Sequence, residues 1–443
     1  MKITERVLNR IVPDTEEQGR IERAVAALIA RVEEIARQLQ VGLKPLMVGS
    51  IAKGTHLKSP DIDLFLKFPI DFAKDEMGNI DRAIGRAILD DPEERYAEHP
   101  YISGFWQGFR TDLVPCYEVL SGSGKISAVD RTPFHTDFIV KHMRPEKRDE
   151  VRLLKQFMKG ISSYGAEAKV QGFSGYLCEL LILKFGSFEG VMASARKWAP
   201  PMELWIEKKG AKEFEEAFIF IDPVDPGRNV ASAVSSDKLN LFIDACRTFK
   251  ERPSEKYFFP NEQEPWDDAK LAAAIQMHRG TVLLVELPPL RVVDDVLWPQ
   301  LRKTGRSIFE TLEREGFKPR KITLQANSDM NLITVECQTA ELSPTLMHLG
   351  PSEKSREAQN FLQKWSGKGI SEPTLKQGRW QVEIERELRT PKDVLFKRFR
   401  YVGVGKGFRR VESPVVASGE ELMKPKYRKI LTSHFDERKP WER

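Results

Sequence analysis

At 443 residues, 41% hydrophobic and 30% charged, the chain is too long for one ordinary core and suits a protein of about two to four globular domains. No apolar run approaches the ~18 residues needed to cross a bilayer. The start, Met1-Lys2-Ile3-Thr4-Glu5 followed by Glu16-Glu17, is not a signal-peptide pattern, so a cytoplasmic protein without a membrane partner is expected. The net charge is +5, and Cys116, Cys178, Cys246 and Cys337 are scattered without a C-x-x-C, reading as buried thiols rather than disulfides or a zinc site.

Pro13-Asp14-Thr15-Glu16-Glu17 is a helix-start signature. Ile21, Val25, Leu28, Val32, Ile35 and Leu39 then recur at spacings of three and four, giving one apolar face. Pro45 to Val48 reads as a short strand, Gly49-Ser50 as a turn and residues 51–57 as a helix. Residues 62–68 alternate like a half-buried strand, Arg110-Thr111-Asp112-Leu113-Val114 reads as another, and a helix is expected near 81–89. From about 140 to 255 helical signals dominate, at 149–158, 174–185, 188–198 and 237–250. Gly210 and the Pro223/Pro226 pair break this region. Pro253, Pro260 and Pro265 punctuate a boundary near 251–266. Beyond it come a strand at 281–287, a helix at about 298–315, and strands at 322–325 and 332–338 joined through Ser328-Asp329. A second small α+β unit is expected after about 375. The expected fold is α+β and multidomain, an elongated molecule with a head (1–140), a helical neck (141–255), and a body and tail (256–443).

The chemistry concentrates in one spacing: Gly49-Ser50, then Asp61-Ile62-Asp63, then Asp112 in a second apolar run. Strand side chains alternate faces, so Asp61 and Asp63 point the same way, roughly 6–7 Å apart. If the strand at 110–114 lies alongside, Asp112 becomes a third carboxylate, and three acids repel unless a cation neutralises them. Oxygen ligands with few His or Cys nearby favour magnesium. Two such ions can activate an attacking hydroxyl and stabilise a leaving pyrophosphate, which is nucleotidyl transfer. The Gly49-Ser50 turn offers backbone N–H groups and a hydroxyl to triphosphate oxygens.

Gly-Ser, a short helix and Asp-x-Asp on the next strand resemble the DNA polymerase β-like nucleotidyltransferase superfamily. Within it the chain is similar to the archaeal CCA-adding enzymes, the tRNA nucleotidyltransferases that build or repair the 3′-terminal CCA. The similar stretches include Val48-Gly49-Ser50, Arg95-Tyr96-Ala97-Glu98-His99-Pro100-Tyr101, Asp112-Leu113-Val114-Pro115-Cys116-Tyr117 and Ala128-Val129-Asp130-Arg131-Thr132-Pro133-Phe134-His135. They continue through Glu150-Val151-Arg152-Leu153-Leu154-Lys155, Tyr164-Gly165-Ala166-Glu167, the run GFSGYLCELL at 172–181, Asp222-Pro223-Val224-Asp225, Arg228-Asn229-Val230, Val293-Asp294-Asp295 and Pro299-Gln300-Leu301.

The resemblance implies a catalytic head, a nucleotide-binding neck and a tRNA-binding body and tail. It implies that Asp61, Asp63 and Asp112 are the catalytic, Mg2+-binding carboxylates, with Asp112 taking part in activating the primer's 3′-hydroxyl. Gly49, Ser50 and Lys53 match triphosphate contacts, Lys53 standing where an Arg is usual. His135, Lys155 and Tyr164 match residues that hold the sugar and phosphates, and Arg228 matches a base-reading arginine. Substrates are then CTP, ATP and the 3′ end and acceptor stem of tRNA; the sequence leaves a homodimer open.

Residues 386–429 carry 13 Lys/Arg and 5 Asp/Glu, a net +8, which leaves the rest of the chain near −3. Arg398, Phe399, Arg400, Tyr401, Phe408, Arg409 and Arg410 interleave aromatics with cations, a mixture suited to phosphate contact plus stacking, so these arginines are the candidate RNA contacts. Two rivals share the head: a poly(A) or oligoadenylate nucleotidyltransferase, and a catalytically silent RNA-binding protein. Clustered acids weigh against the silent form, because RNA binding has no need of them.

Overall fold

The computed structural model describes residues 2–96, 100–119, 129–210, 212–278 and 280–443. Ala97, Glu98 and His99 of one similar stretch, and Ala128 of another, therefore lie outside the described residues. The chain divides into two compact units, residues 1–262 with 438–443, and residues 263–437.

The first unit opens with α1 (Ile3–Ile11) and α2 (Thr15–Gln38). Asp14 caps α2 by accepting from the Glu17 N–H, as the acidic start predicts. Ile21, Leu28, Val32 and Ile35 are buried along its apolar face, whereas Leu39 at its end is exposed. There follow β1 (Lys44–Met47), the single-turn α3 (Gly49–Lys53), β2 (Ile62–Phe68), α4 (Lys74–Ile88), β3 (Asp90–Tyr96), β4 (Pro100–Trp106) and β5 (Phe109–Tyr117). These strands form one sheet in the order β1-β2-β5-β4-β3, parallel only between β2 and β5. Two expected helices differ from those observed. The helix expected at 51–57 stops at Lys53, because Gly54 turns left-handed at φ 67° and closes it. The helix expected near 81–89 begins earlier, at Lys74, where Asp75 and Glu76 supply an acidic first turn.

The same unit continues with α5 (Thr132–His142), α6 (Arg148–Gly160), α7 (Gly175–Phe185), α8 (Phe188–Ala195), the parallel pair β6 (Met202–Leu204) and β7 (Phe218–Phe220), and α9 (Ser236–Glu251). Their core is rich in phenylalanine, with Phe157, Phe173, Phe188, Phe218 and Phe242 all buried. The last residues of the chain return here: Trp441 stacks on Tyr257 with ring centroids 5.1 Å apart.

The second unit holds α10 (Asp268–Met277), β8 (Thr281–Leu287), α11 (Asp294–Glu315), β9 (Pro319–Ala326), β10 (Asn331–Cys337), β11 (Thr345–Ser352), α12 (Ala358–Trp365), β12 (Thr374–Lys376), β13 (Arg379–Glu385), α13 (Pro391–Arg398), β14 (Val415–Ser418) and α14 (Arg428–Phe435). The expected hairpin is β9-β10, in a sheet ordered β14-β8-β10-β9. The smaller sheet, β11-β13-β12, begins at Thr345 rather than after 375, because β11 pairs with β13 across the intervening helix.

Candidate active site

The acids are set by strand register. Asp63 on β2 is the partner of Asp112 on β5, and Asp61 immediately precedes β2. The Val48 N–H donates to the Asp63 carbonyl at 3.0 Å, and the chain then turns at Gly49 with φ 69°. A Cβ on Gly49 would lie 2.0 Å from Asp63 Oδ2, so only glycine lets this turn approach the acid. Burial, then the Asp112 and Asp61 charges, push the Asp63 carboxyl up to about 7. Burial and Asp112 also raise Asp61. Asp112 Oδ1 is buried without a hydrogen-bond partner. Among the described residues, no three His, Cys, Asp or Glu side chains form a ready metal cage. The three acids interact through their charges but do not form a closed ligand set. Their oxygen donors and the orphaned Asp112 oxygen fit a hard divalent cation.

Asp61 and Asp63 line a cavity of about 320 Å³ together with Gly49, Ser50, Lys53, Lys155 and Tyr164. The lysines do not reach into open solvent. Leu153, Leu154 and Phe157 are buried as the α6 pattern requires, and Lys155 between them is itself only 3% exposed. It donates to Thr55 Oγ1 at 3.0 Å and to Glu179 Oε1 at 3.2 Å. Lys53 donates to Glu179 Oε2 at 2.9 Å. Burial works to raise Glu179, yet the charges of Lys53 and Lys155 outweigh it and hold the carboxyl at about 2. Tyr164 is raised well above the ordinary phenol range by burial. A Cβ on Gly175 would lie 3.0 Å from its hydroxyl, so α7 also opens on a glycine to leave room.

A second node gathers the remaining expected residues of this unit. The buried Asp222 takes His135 Nε2 at 2.9 Å, Arg228 NH1 at 3.0 Å, the Tyr176 hydroxyl at 3.3 Å and the Val224 N–H at 3.0 Å. A carboxylate only accepts, so His135 Nε2 carries the proton. Burial lowers the His135 pKa even though the Asp222 bond and charge work to raise it. The Tyr176 ring stacks on His135 at 4.1 Å and lines the cavity, with Lys53 Nζ 5.5 Å from its centroid. Tyr176 thus joins the two nodes.

Arg398, Arg400, Arg409 and Arg410 belong to the second unit, and all four are exposed. The interleaved aromatics divide, which corrects the expectation of several stacking rings. Phe399 and Phe408 are buried, whereas Tyr401 is 70% exposed under the Arg400 guanidinium. Arg398 pairs with Glu315 at 2.7 Å. Sequence reasoning missed Thr55, Tyr176, Glu179 and Asp222. Two of these carry a signal: Glu179 interrupts a helix of otherwise buried apolar residues, and Asp222 follows the buried run Phe218-Ile219-Phe220-Ile221.

Asp63 in register with Asp112 on parallel strands, and lining with Asp61 a cavity walled by two lysines, is the arrangement of a nucleotidyltransferase. The nucleotidyltransferase-domain family matches residues 29–135, the tRNA nucleotidyltransferase second domain residues 149–259, and the CCA-adding enzyme C-terminal domain residues 279–417. The CCA-adding enzyme of Archaeoglobus fulgidus is 39% identical over 88% of this chain and 88% of its own. That of Picrophilus torridus is 33% identical over 93% of each, and that of Halobacterium salinarum 35% identical over 98% of each. The chain belongs to the CCA-adding enzyme family and is a tRNA nucleotidyltransferase. No helix among the described residues is long and apolar enough to cross a membrane.

Proposed function

We propose that the chain adds CMP, CMP and AMP to the tRNA 3′ end without a nucleic-acid template, with Asp61, Asp63 and Asp112 holding Mg2+. The observation that carries this reading is the register of Asp63 with Asp112 beside a cavity whose lining includes Lys53 and Lys155. Bound Mg2+ would neutralise the three acids, favour the primer hydroxyl as nucleophile and stabilise the departing pyrophosphate. Ser50, Lys53, Lys155 and Tyr164 hold the triphosphate. Lys53 supplies a point charge rather than a bidentate fork.

His135 contacts the sugar through the ring atoms left free by its bond to Asp222. Arg228 commits one NH1 bond to Asp222, and the rest of its guanidinium presents donors to the acceptors that cytosine and adenine share. One planar fork cannot order C, C and A, so the order comes from the growing 3′ end reshaping the pocket. The test is incorporation from CTP and ATP into tRNA lacking one, two or three terminal nucleotides. Each substrate should be completed to CCA and no further. A chain that adds only AMP, or continues past CCA, would instead be the poly(A)-type enzyme.

A further inference from the structure

Glu179 sits where an acid should be unwelcome. The cavity is to receive a polyanion, yet this carboxylate lies in its wall, 1% exposed, between Leu177, Cys178, Leu180 and Leu181 of α7. Its partners resolve the conflict. Lys53 binds one carboxylate oxygen at 2.9 Å, while Lys155 at 3.2 Å and the Thr55 hydroxyl at 2.6 Å bind the other. Thr55 closes the circuit, because its Oγ1 also accepts from Lys155 at 3.0 Å. Two ammonium groups from α3 and α6 are thereby held on the two oxygens of one acid. Left alone, they would repel each other and turn apart. With Glu179 bonded to both they are held in place, two cationic side chains against one acid.

We infer that Glu179, supported by Thr55, is a positioning residue that presets Lys53 and Lys155 for the triphosphate shared by CTP and ATP. The inference rests on the triphosphate role proposed for the two lysines. It implies that loss of Glu179 affects both nucleotides alike and leaves base choice alone, because the base lies at the other node.

Inorganic tripolyphosphate is the probe, measured as an inhibitor competing with CTP on the full chain. Glu179→Gln should weaken its inhibition and raise the KM for CTP and for ATP by one common factor of about tenfold, as loss of hydrogen bonds to charged groups predicts. The kcat should change less than KM, and the KM for tRNA and the preference for CTP over UTP should hold. Glu179→Asp, which restores the charge one methylene short, should recover part of the loss. Unchanged or tighter tripolyphosphate inhibition in Glu179→Gln overturns the proposal. If Lys53→Ala and Lys155→Ala also leave inhibition unchanged, the triphosphate reading falls with it; if they weaken inhibition, only the role of Glu179 falls. Should Glu179→Gln not fold, Thr55→Val carries the test, with an expected rise of about two- to fivefold in both KM values; parent-like values overturn the proposal.

Discussion

Asp63 and Asp112 are register partners on adjacent parallel strands, and one buried oxygen of Asp112 has no hydrogen-bond partner. On the proposed reading, this pair serves the chemical step that every nucleotide shares. Asp63→Asn or Asp112→Asn should cut incorporation of CMP and of AMP together, by about a hundred- to a thousandfold, as loss of a transition-state charge partner does elsewhere. Binding of tRNA should be nearly unchanged. Loss of one incorporation with the other retained would point to a selectivity role and remove the metal assignment.

The raised pKa of Asp63 sets a pH signature with a definite sign. Its carboxyl titrates at about 7 when folded and at about 3.8 when unfolded. Between these values the folded chain retains a proton that the unfolded chain has released, so this group lowers stability as pH rises through that window. Above it, the full penalty of a buried, repelled carboxylate remains. Asp63→Asn removes the penalty. In EDTA the variant should therefore melt higher than the parent at about pH 8 and nearly equal to it at about pH 4. A divalent cation should narrow the gap by stabilising only the parent. Thermal melts at both pH values decide this, and a gap independent of pH would contradict it.

Gly49→Ala tests the closeness of the turn to the acid. The added Cβ would fall 2.0 Å from Asp63 Oδ2, and φ 69° already disfavours any side chain by about 1–2 kcal/mol. Asp63 must move, so incorporation of both nucleotides should fall by at least about tenfold while tRNA affinity holds. Activity within twofold of the parent would mean that the acid has a second working position.

Local patterns made the strands that carry the acids legible. Residues 62–68 alternate except at the buried Phe65 and form β2, and the segment containing Asp112 lies within β5. Thr281–Leu287 was equally plain, as a run of β-branched and aliphatic residues. Helix ends were less legible: Gly54 stops α3 by adopting a left-handed backbone that its sequence permits but does not demand. Partnerships across long separations were not legible at all. Glu179 meets Lys53 across 126 residues and His135 meets Asp222 across 87, and no local periodicity encodes either contact. Phe399 and Phe408 resembled stacking rings because their cationic neighbours were visible and the core that buries them was not.

If Arg228 reads the base as proposed, its loss should separate base choice from chemistry. Arg228 reaches Asp222 at the node that also holds His135. Arg228→Ala should weaken discrimination against UTP and GTP more than it slows transfer of CMP, since each lost base contact is worth about 1–3 kcal/mol. Competition between CTP and UTP in one reaction measures this directly. An unchanged preference would exclude Arg228 as the base reader and leave His135 and Tyr176 as the polar side chains at that node to examine.

The basic segment of the second unit should hold tRNA through its backbone. An enzyme that completes every tRNA cannot depend on bases that differ between them, so phosphate and shape contacts are expected. Arg409 and Arg410 are exposed beside the buried Phe408, which anchors their stretch of chain without consuming their charge. Replacing both with alanine should raise the KM for tRNA and flatten its dependence on salt, because fewer counter-ions are released on binding. The KM for CTP should stay constant, since the nucleotide cavity is formed entirely by residues of the first unit. Binding of tRNA across a salt series provides the measurement. A slope equal to the parent's would make these two arginines ordinary solvated surface and shift the assignment to Arg398 and Arg400.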